Sequence, residues 1–241
     1  MGGPGLQALR PDSARAANAV NFLAHAFLAG DDEDWIIGQA SGDFVNKAGM
    51  ESLPERVRAG VRMHQRLDAF ADYHPIGLRS RRRLEPPFRR WGGVLLDMYG
   101  DHFLASEWEF FRPDVSLDEF TAGFYACLQK READLPEGLR RALPSMIGRD
   151  WLGSYRSIEG IERALAGIAR RARSGNPLAR GGEPLRACYE DFRGDFLKFF
   201  PEAVRFAADL RFGEQSAARG VSSSADRPSD SRRRDATGSR I

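Results

Sequence analysis

The sequence predicts an all-α protein, a compact multi-helix bundle. Apolar residues recur at helical spacing through most of the chain, helix starts carry recognisable caps, and alternating strand patterns are nearly absent. In chain order, helices are expected over 23–29 and 35–46. Leu53-Pro54-Glu55 opens a longer one, with proline in the first turn, where its missing N–H breaks no bond. It runs to about Tyr73 and stops at His74-Pro75, because the residue before a proline avoids helical angles. A further helix is expected over 91–108. Ser116-Leu117-Asp118-Glu119 is a capping box ahead of Phe120, Phe124 and Leu128 at helical spacing. Helices over 138–150, 157–173 and 184–210 complete the set, the last interrupted at Pro201, with Gly175 to Gly182 as a loop.

Residues 1–18 are rich in Gly, Ala, Arg and Pro, and residues 213–241 hold few large apolar side chains. Such segments bury too little surface to offset their ordering entropy, so disorder is expected at both ends of one domain over 19–212. Translation from Val20, with 1–19 an artefact, is a further expectation. His25 interrupts the apolar stretch Val20 to Ala29 and four acids follow Gly30, which argues against an export signal. Cys127 and Cys188 stand apart from every histidine, so neither a disulfide framework nor a thiolate metal site is expected. The expected setting is the cytoplasm, with no membrane and no nucleic acid as partner.

The chemistry-bearing residues crowd into the first part of the chain. The four histidines are His25, His64, His74 and His102. His64 and Asp68 stand one helical turn apart on one face, and Asp97 and Asp101 repeat that spacing with His102 adjacent. Asp43 follows Gly42 near another helix end. A single pair of this kind is commonly a surface hydrogen bond, and Asp43 alone reads equally as a cap. Together, imidazoles and carboxylates on several apolar helices are how bundle-type metal sites are assembled. Such a set without cysteine suits Mn²⁺, Fe²⁺, Zn²⁺ or Mg²⁺. Phosphate-loop, dinucleotide and nucleophile-elbow patterns are absent.

Between Arg56 and Arg90 stand ten arginines against Asp68, Asp72 and Glu85, in a chain of net charge +2. No aromatic platform or DNA-binding motif accompanies them, and an acidic protein partner fits the run.

The segments Asn21 to Ala29, Gly38 to Val45, Gly60 to Asp68 and Asp97 to Leu104 resemble blocks of the acyl carrier protein phosphodiesterase family. Leu143 to Ile147, Asp150 to Leu152, Ile158 to Ile161 and Asp195 to Leu197 continue the resemblance in order. It implies a variant of the HD-domain helical fold, a divalent metal that is typically manganese, and hydrolysis of 4'-phosphopantetheine from holo-acyl carrier protein to give the apo form. By position it implies His25, Asp43, His64, Asp68, Asp97 and Asp101 as metal residues, and Asp43, His64, Asp68 and His102 as catalytic ones. The usual HD signature has the two residue types adjacent, whereas Gln65 follows His64 here and Asp101-His102 reverses the order. Carrier proteins are acidic beside their modified serine, so Arg79, Arg81, Arg82, Arg83, Arg89 and Arg90 are the expected docking residues. Two other readings stay open: an HD-type phosphohydrolase acting on a small phosphodiester or nucleotide, and a non-enzymatic binder of an acidic protein.

Overall fold

A computed structural model describes the backbone of residues 21–224 and side chains through residue 214. The expectations for 1–18 and for the end of the tail lie outside those residues. The helices are α1 (Phe22–Ala29), α2 (Glu33–Ser41), α3 (Lys47–Ser52), α4 (Glu55–Tyr73), α5 (Pro75–Arg83), α6 (Gly92–Ser106), α7 (Trp108–Phe111), α8 (Leu117–Lys130), α9 (Glu137–Gly148), α10 (Trp151–Ser154), α11 (Ile158–Arg171), α12 (Gly182–Ala187) and α13 (Tyr189–Ser224). Single 3₁₀ turns join several of them, and the described residues contain no strand. None of these helices is long and apolar enough to cross a membrane.

Helix α6 is the central element. Leu95, Met98, Tyr99, Phe103 and Leu104 are almost wholly inaccessible, and α1, α5, α11 and α13 pack around it. Helix α2 lies against α4. Their contact is a backbone approach: a Cβ on Gly38 would fall 2.4 Å from the Val57 carbonyl oxygen and 2.6 Å from Gly60 Cα. Glycine at both positions lets the two helices meet closely enough to bring α4 side chains against the α2 backbone.

Several boundaries differ from the periodicity. The expected helix over 35–46 begins at Glu33, because the Asp32 side chain accepts from Asp34 N–H and Trp35 N–H. It breaks at Ser41 into the 3₁₀ turn Gly42–Phe44, and α3 follows from an Asn46 cap. Pro75 ends α4 as expected and also starts α5 from its first position, with His74 Nδ1 accepting from Ile76 N–H. The last expected helix divides at Cys188, not at Pro201, and α13 continues past 212 to Ser224. One missing N–H is tolerated there because Phe200 and Ala203, on either side of the proline, are buried in the core. The capping box at Ser116 and Glu119 forms with both reciprocal bonds.

Candidate metal centre

Helix α1 is too short and too apolar to be stable alone, and its start is fixed from outside. Asp101, fully buried on α6, accepts from Leu23 N–H at 3.1 Å and from Ala24 N–H at 2.9 Å. Burial pushes the Asp101 carboxyl up to about 7, against the pull of those two donors. Both of its oxygens are thus engaged in holding α1, one turn of which places His25 in the interior.

His25 and His64 are each about 5 % exposed or less and face the same carboxylate. His25 Nε2 lies 3.2 Å from Asp68 Oδ1, and His64 Nε2 lies 3.4 Å from Asp68 Oδ2. Asp43 Oδ1 stands 3.6 Å from the same His64 nitrogen. The opposite nitrogens are held by one residue: His25 Nδ1 is 2.7 Å from the Gln39 side-chain oxygen, and His64 Nδ1 is 2.9 Å from the Gln39 backbone carbonyl. The backbone carbonyl can only accept, so His64 Nδ1 carries a proton, and with the Gln39 side-chain oxygen turned towards it His25 Nδ1 carries one too. A lone pair remains on Nε2 when the ring is neutral, aimed at the shared carboxylate, which is the arrangement of metal-ligating histidines. Nitrogen and oxygen atoms of His25, His64 and Asp68 lie within 4.8 Å of one another.

Gly42 makes room for this cluster. A Cβ there would fall 2.2 Å from Cγ of the His64 ring. The break after α2 therefore leaves space for the imidazole and carries Asp43 to its edge.

Electrostatics favour a cation. Burial draws the His64 imidazole downward, but the Asp43 and Asp68 carboxylates outweigh it and hold His64 at about 10. Burial likewise works against the Asp68 carboxylate, yet His25 and His64 hold it far below the usual range. Asp97, half-buried one turn before Asp101, is pushed well up, first by burial and then by the carboxylates of Asp68, Asp72, Asp43 and Asp101. Asp68 between two oriented imidazoles, with Asp43 and Asp97 nearby, is a donor set that a divalent cation fits, and its hard oxygen and imidazole character suits Mn²⁺, Fe²⁺ or Zn²⁺.

An open cleft of about 970 Å³, solvent at its mouth included, begins at this cluster. His25, Asp68, Asp72, Arg81 and Asp97 line its polar end, and Phe103, Phe192, Phe196, Phe199 and Phe200 wall the rest. Arg81 and Asp72 pair across it at 2.8 Å.

The structure gathers His25, His64 and Asp68, with Asp43 and Asp97 beside them. It does not bring His102 there: Nδ1 of that ring faces the Tyr155 carbonyl at 2.8 Å and Nε2 the Tyr189 hydroxyl at 3.0 Å. His74 lies apart, 3.4 Å from Glu202. The arginine run is largely tied down. Arg79 and Arg83 pair with buried Asp195, which Ser80 Oγ also reaches at 2.7 Å, while Arg89 pairs with Glu85. Among the described residues, Arg82 and Arg90 have no carboxylate partner. Sequence reasoning missed Gln39, whose signal was a glutamine inside an otherwise apolar helix face, and the place of Arg81 in the cleft wall.

Relatives with an assigned name share most of this chain. A protein of Klebsiella pneumoniae (strain 342), named acyl carrier protein phosphodiesterase, is 29 % identical over 188 residues, covering 78 % of this chain and 97 % of its own. One of Photorhabdus laumondii with the same name is 29 % identical over 193 residues, 80 % of this chain and 98 % of its own. One of Escherichia coli O6:H1, again so named, is 33 % identical over 146 residues, 61 % of this chain and 76 % of its own. No solved structure matches the chain. Residues 20–203, the span that carries α1, α4, α6 and every residue of the cluster, match the family profile, and the chain belongs to the acyl carrier protein phosphodiesterase family.

Proposed function

We propose that this protein hydrolyses the phosphodiester joining 4'-phosphopantetheine to a serine of holo-acyl carrier protein, releasing the apo-carrier protein. His25, His64 and Asp68 hold a divalent cation, manganese by preference, whose charge would favour the ionised form of Asp97 in the cleft wall. The observation that carries this reading is the pinning of both Nδ1 atoms by Gln39, which aims two imidazoles at one carboxylate.

When bound, the cation neutralises charge on the phosphoryl oxygens and makes water a stronger nucleophile. Asp43, more exposed than the histidines and next to His64, is placed to accept a proton at the rim. Arg81 sits across the polar end of the cleft, where its guanidinium can turn from Asp72 to a phosphoryl oxygen. The apolar wall beyond takes the uncharged length of the pantetheine arm. Arg82 and Arg90, which among the described residues have no carboxylate partner and stand in the arginine-rich stretch 79–90, are the docking contacts for an acidic carrier protein.

The test is incubation of the purified protein with holo-acyl carrier protein and Mn²⁺, followed by intact mass of the carrier protein. Loss of the phosphopantetheine mass, abolished in His64→Ala and Asp68→Ala, is the expected result. An unchanged mass, with a small phosphodiester hydrolysed instead, would move the reaction to another substrate.

A further inference from the structure

Asn21 departs in its local geometry from what its sequence position leads one to expect. It precedes α1 at the cap position, where asparagine ordinarily turns its side chain back to accept from the N–H groups two and three residues on. Here the side chain makes no such bond. Those two N–H groups, of Leu23 and Ala24, are both taken by Asp101 from α6. The acid of another helix has replaced the cap, and the asparagine side chain is released from it.

Two independent features mark what replaces that role. The Asn21 backbone is left-handed, φ 82° and ψ 37°, a conformation that asparagine tolerates better than most side chains and that carries this one away from its own helix. Its Oδ1 is out of contact with solvent and has no hydrogen-bond partner among the described residues. A buried carbonyl oxygen without a donor is rare in a folded chain. Asn21 also lines the cleft, together with His25, Asp68 and Asp97.

We propose that Asn21 is a further residue of the cation site, its carboxamide oxygen belonging to the donor set that holds the ion. The inference rests on the cation reading above. A neutral oxygen fits that place. The surrounding acids already oppose one another, and an amide oxygen adds a hard donor without adding charge. Asp101 then has a purpose beyond stability: by capping α1 it leaves Asn21 free to face the cleft.

The experiment measures Mn²⁺ affinity by calorimetry and melting temperature in chelator for wild type, Asn21→Gly, Asn21→Asp and His64→Ala. Glycine keeps the left-handed backbone and removes the oxygen. Asn21→Gly is expected to bind Mn²⁺ about 10- to 100-fold more weakly, with an unchanged or raised melting temperature in chelator. Asn21→Asp, which restores an oxygen at the same reach, is expected to recover the affinity. Wild-type affinity in Asn21→Gly alongside lost affinity in His64→Ala would overturn the role of Asn21 and leave the cation site standing. Absence of Mn²⁺ binding by the wild type would overturn both.

Discussion

The imidazoles of His25 and His64 lie face to face, ring centroids 3.9 Å apart and 18° from parallel. Two charged rings at that distance would repel, so without a cation only one of them, His64, is held charged against the shared carboxylate. Asp68 offers one oxygen to each. A cation shared by the three groups would satisfy both rings at once, the binding geometry proposed for this stack.

Gln39 is the residue through which that geometry is imposed. Gln39→Leu removes the acceptor of His25 Nδ1 and leaves the backbone acceptor of His64 in place. Affinity for Mn²⁺ should fall about 10- to 100-fold, with Gln39→Glu retaining much of it. Equal affinities for wild type and leucine variant, measured by calorimetry, would remove the orienting role.

Asp101 behaves differently if its work is to cap α1. Asp101→Asn keeps one acceptor oxygen and faces the other N–H with an amide, so about 1–3 kcal/mol of stability should be lost. One Mn²⁺ per chain should still bind below the melting transition. A variant that keeps its stability and loses the ion would make Asp101 a ligand instead.

Gly42→Ala places a methyl group inside the His64 ring position. Displacement of the ring should cost about 1–3 kcal/mol and most of the turnover, whereas Gly123→Ala, which meets no atom within 4 Å, should cost nothing measurable. Urea melts of the two variants side by side check this.

Folding raises His64 from 6.5 to about 10, against the pull of burial, because Asp43 and Asp68 favour the charged ring. In chelator, the resulting stabilisation is fully present below pH 6.5 and is lost as pH rises towards 10, a change on the order of 2–4 kcal/mol. Mn²⁺ must displace that proton, so its affinity should rise over the same window. Denaturant melts of wild type and His64→Gln across pH 6 to 9 test it: the slope should flatten in the variant, and parallel profiles would refute the assignment.

Arg82 and Arg90, without an acid partner among the described residues, and the tied arginines of 79–90 should separate kinetically. Arg82→Glu with Arg90→Glu should raise KM for the carrier protein with kcat nearly unchanged. Arg83→Glu faces Asp191 and buried Asp195 and should instead lower stability. The same KM in wild type and the double variant would exclude docking at Arg82 and Arg90.

The helical class was legible in the sequence because caps and apolar spacing are local, as at Ser116 and Glu119. His64 and Asp68 were legible as a pair for the same reason: one turn of one helix sets their relation. What local pattern cannot show is which of two adjacent polar residues faces inward to which neighbour. Asp101 and His102 are sequence neighbours about 100° apart on α6, and packing sends one to the start of α1 and the other to Tyr155 and Tyr189. Gln39 was hidden because its role joins three helices, and the arginine run looked free because Asp195 lies more than a hundred residues away in the chain.

The most direct measurement is anomalous diffraction from crystals grown with Mn²⁺, with data collected at the manganese edge. One strong peak bounded by His25 Nε2, His64 Nε2 and Asp68 is the predicted result. A Mn²⁺-saturated crystal with no peak there, or with its peak elsewhere in the chain, would contradict the account.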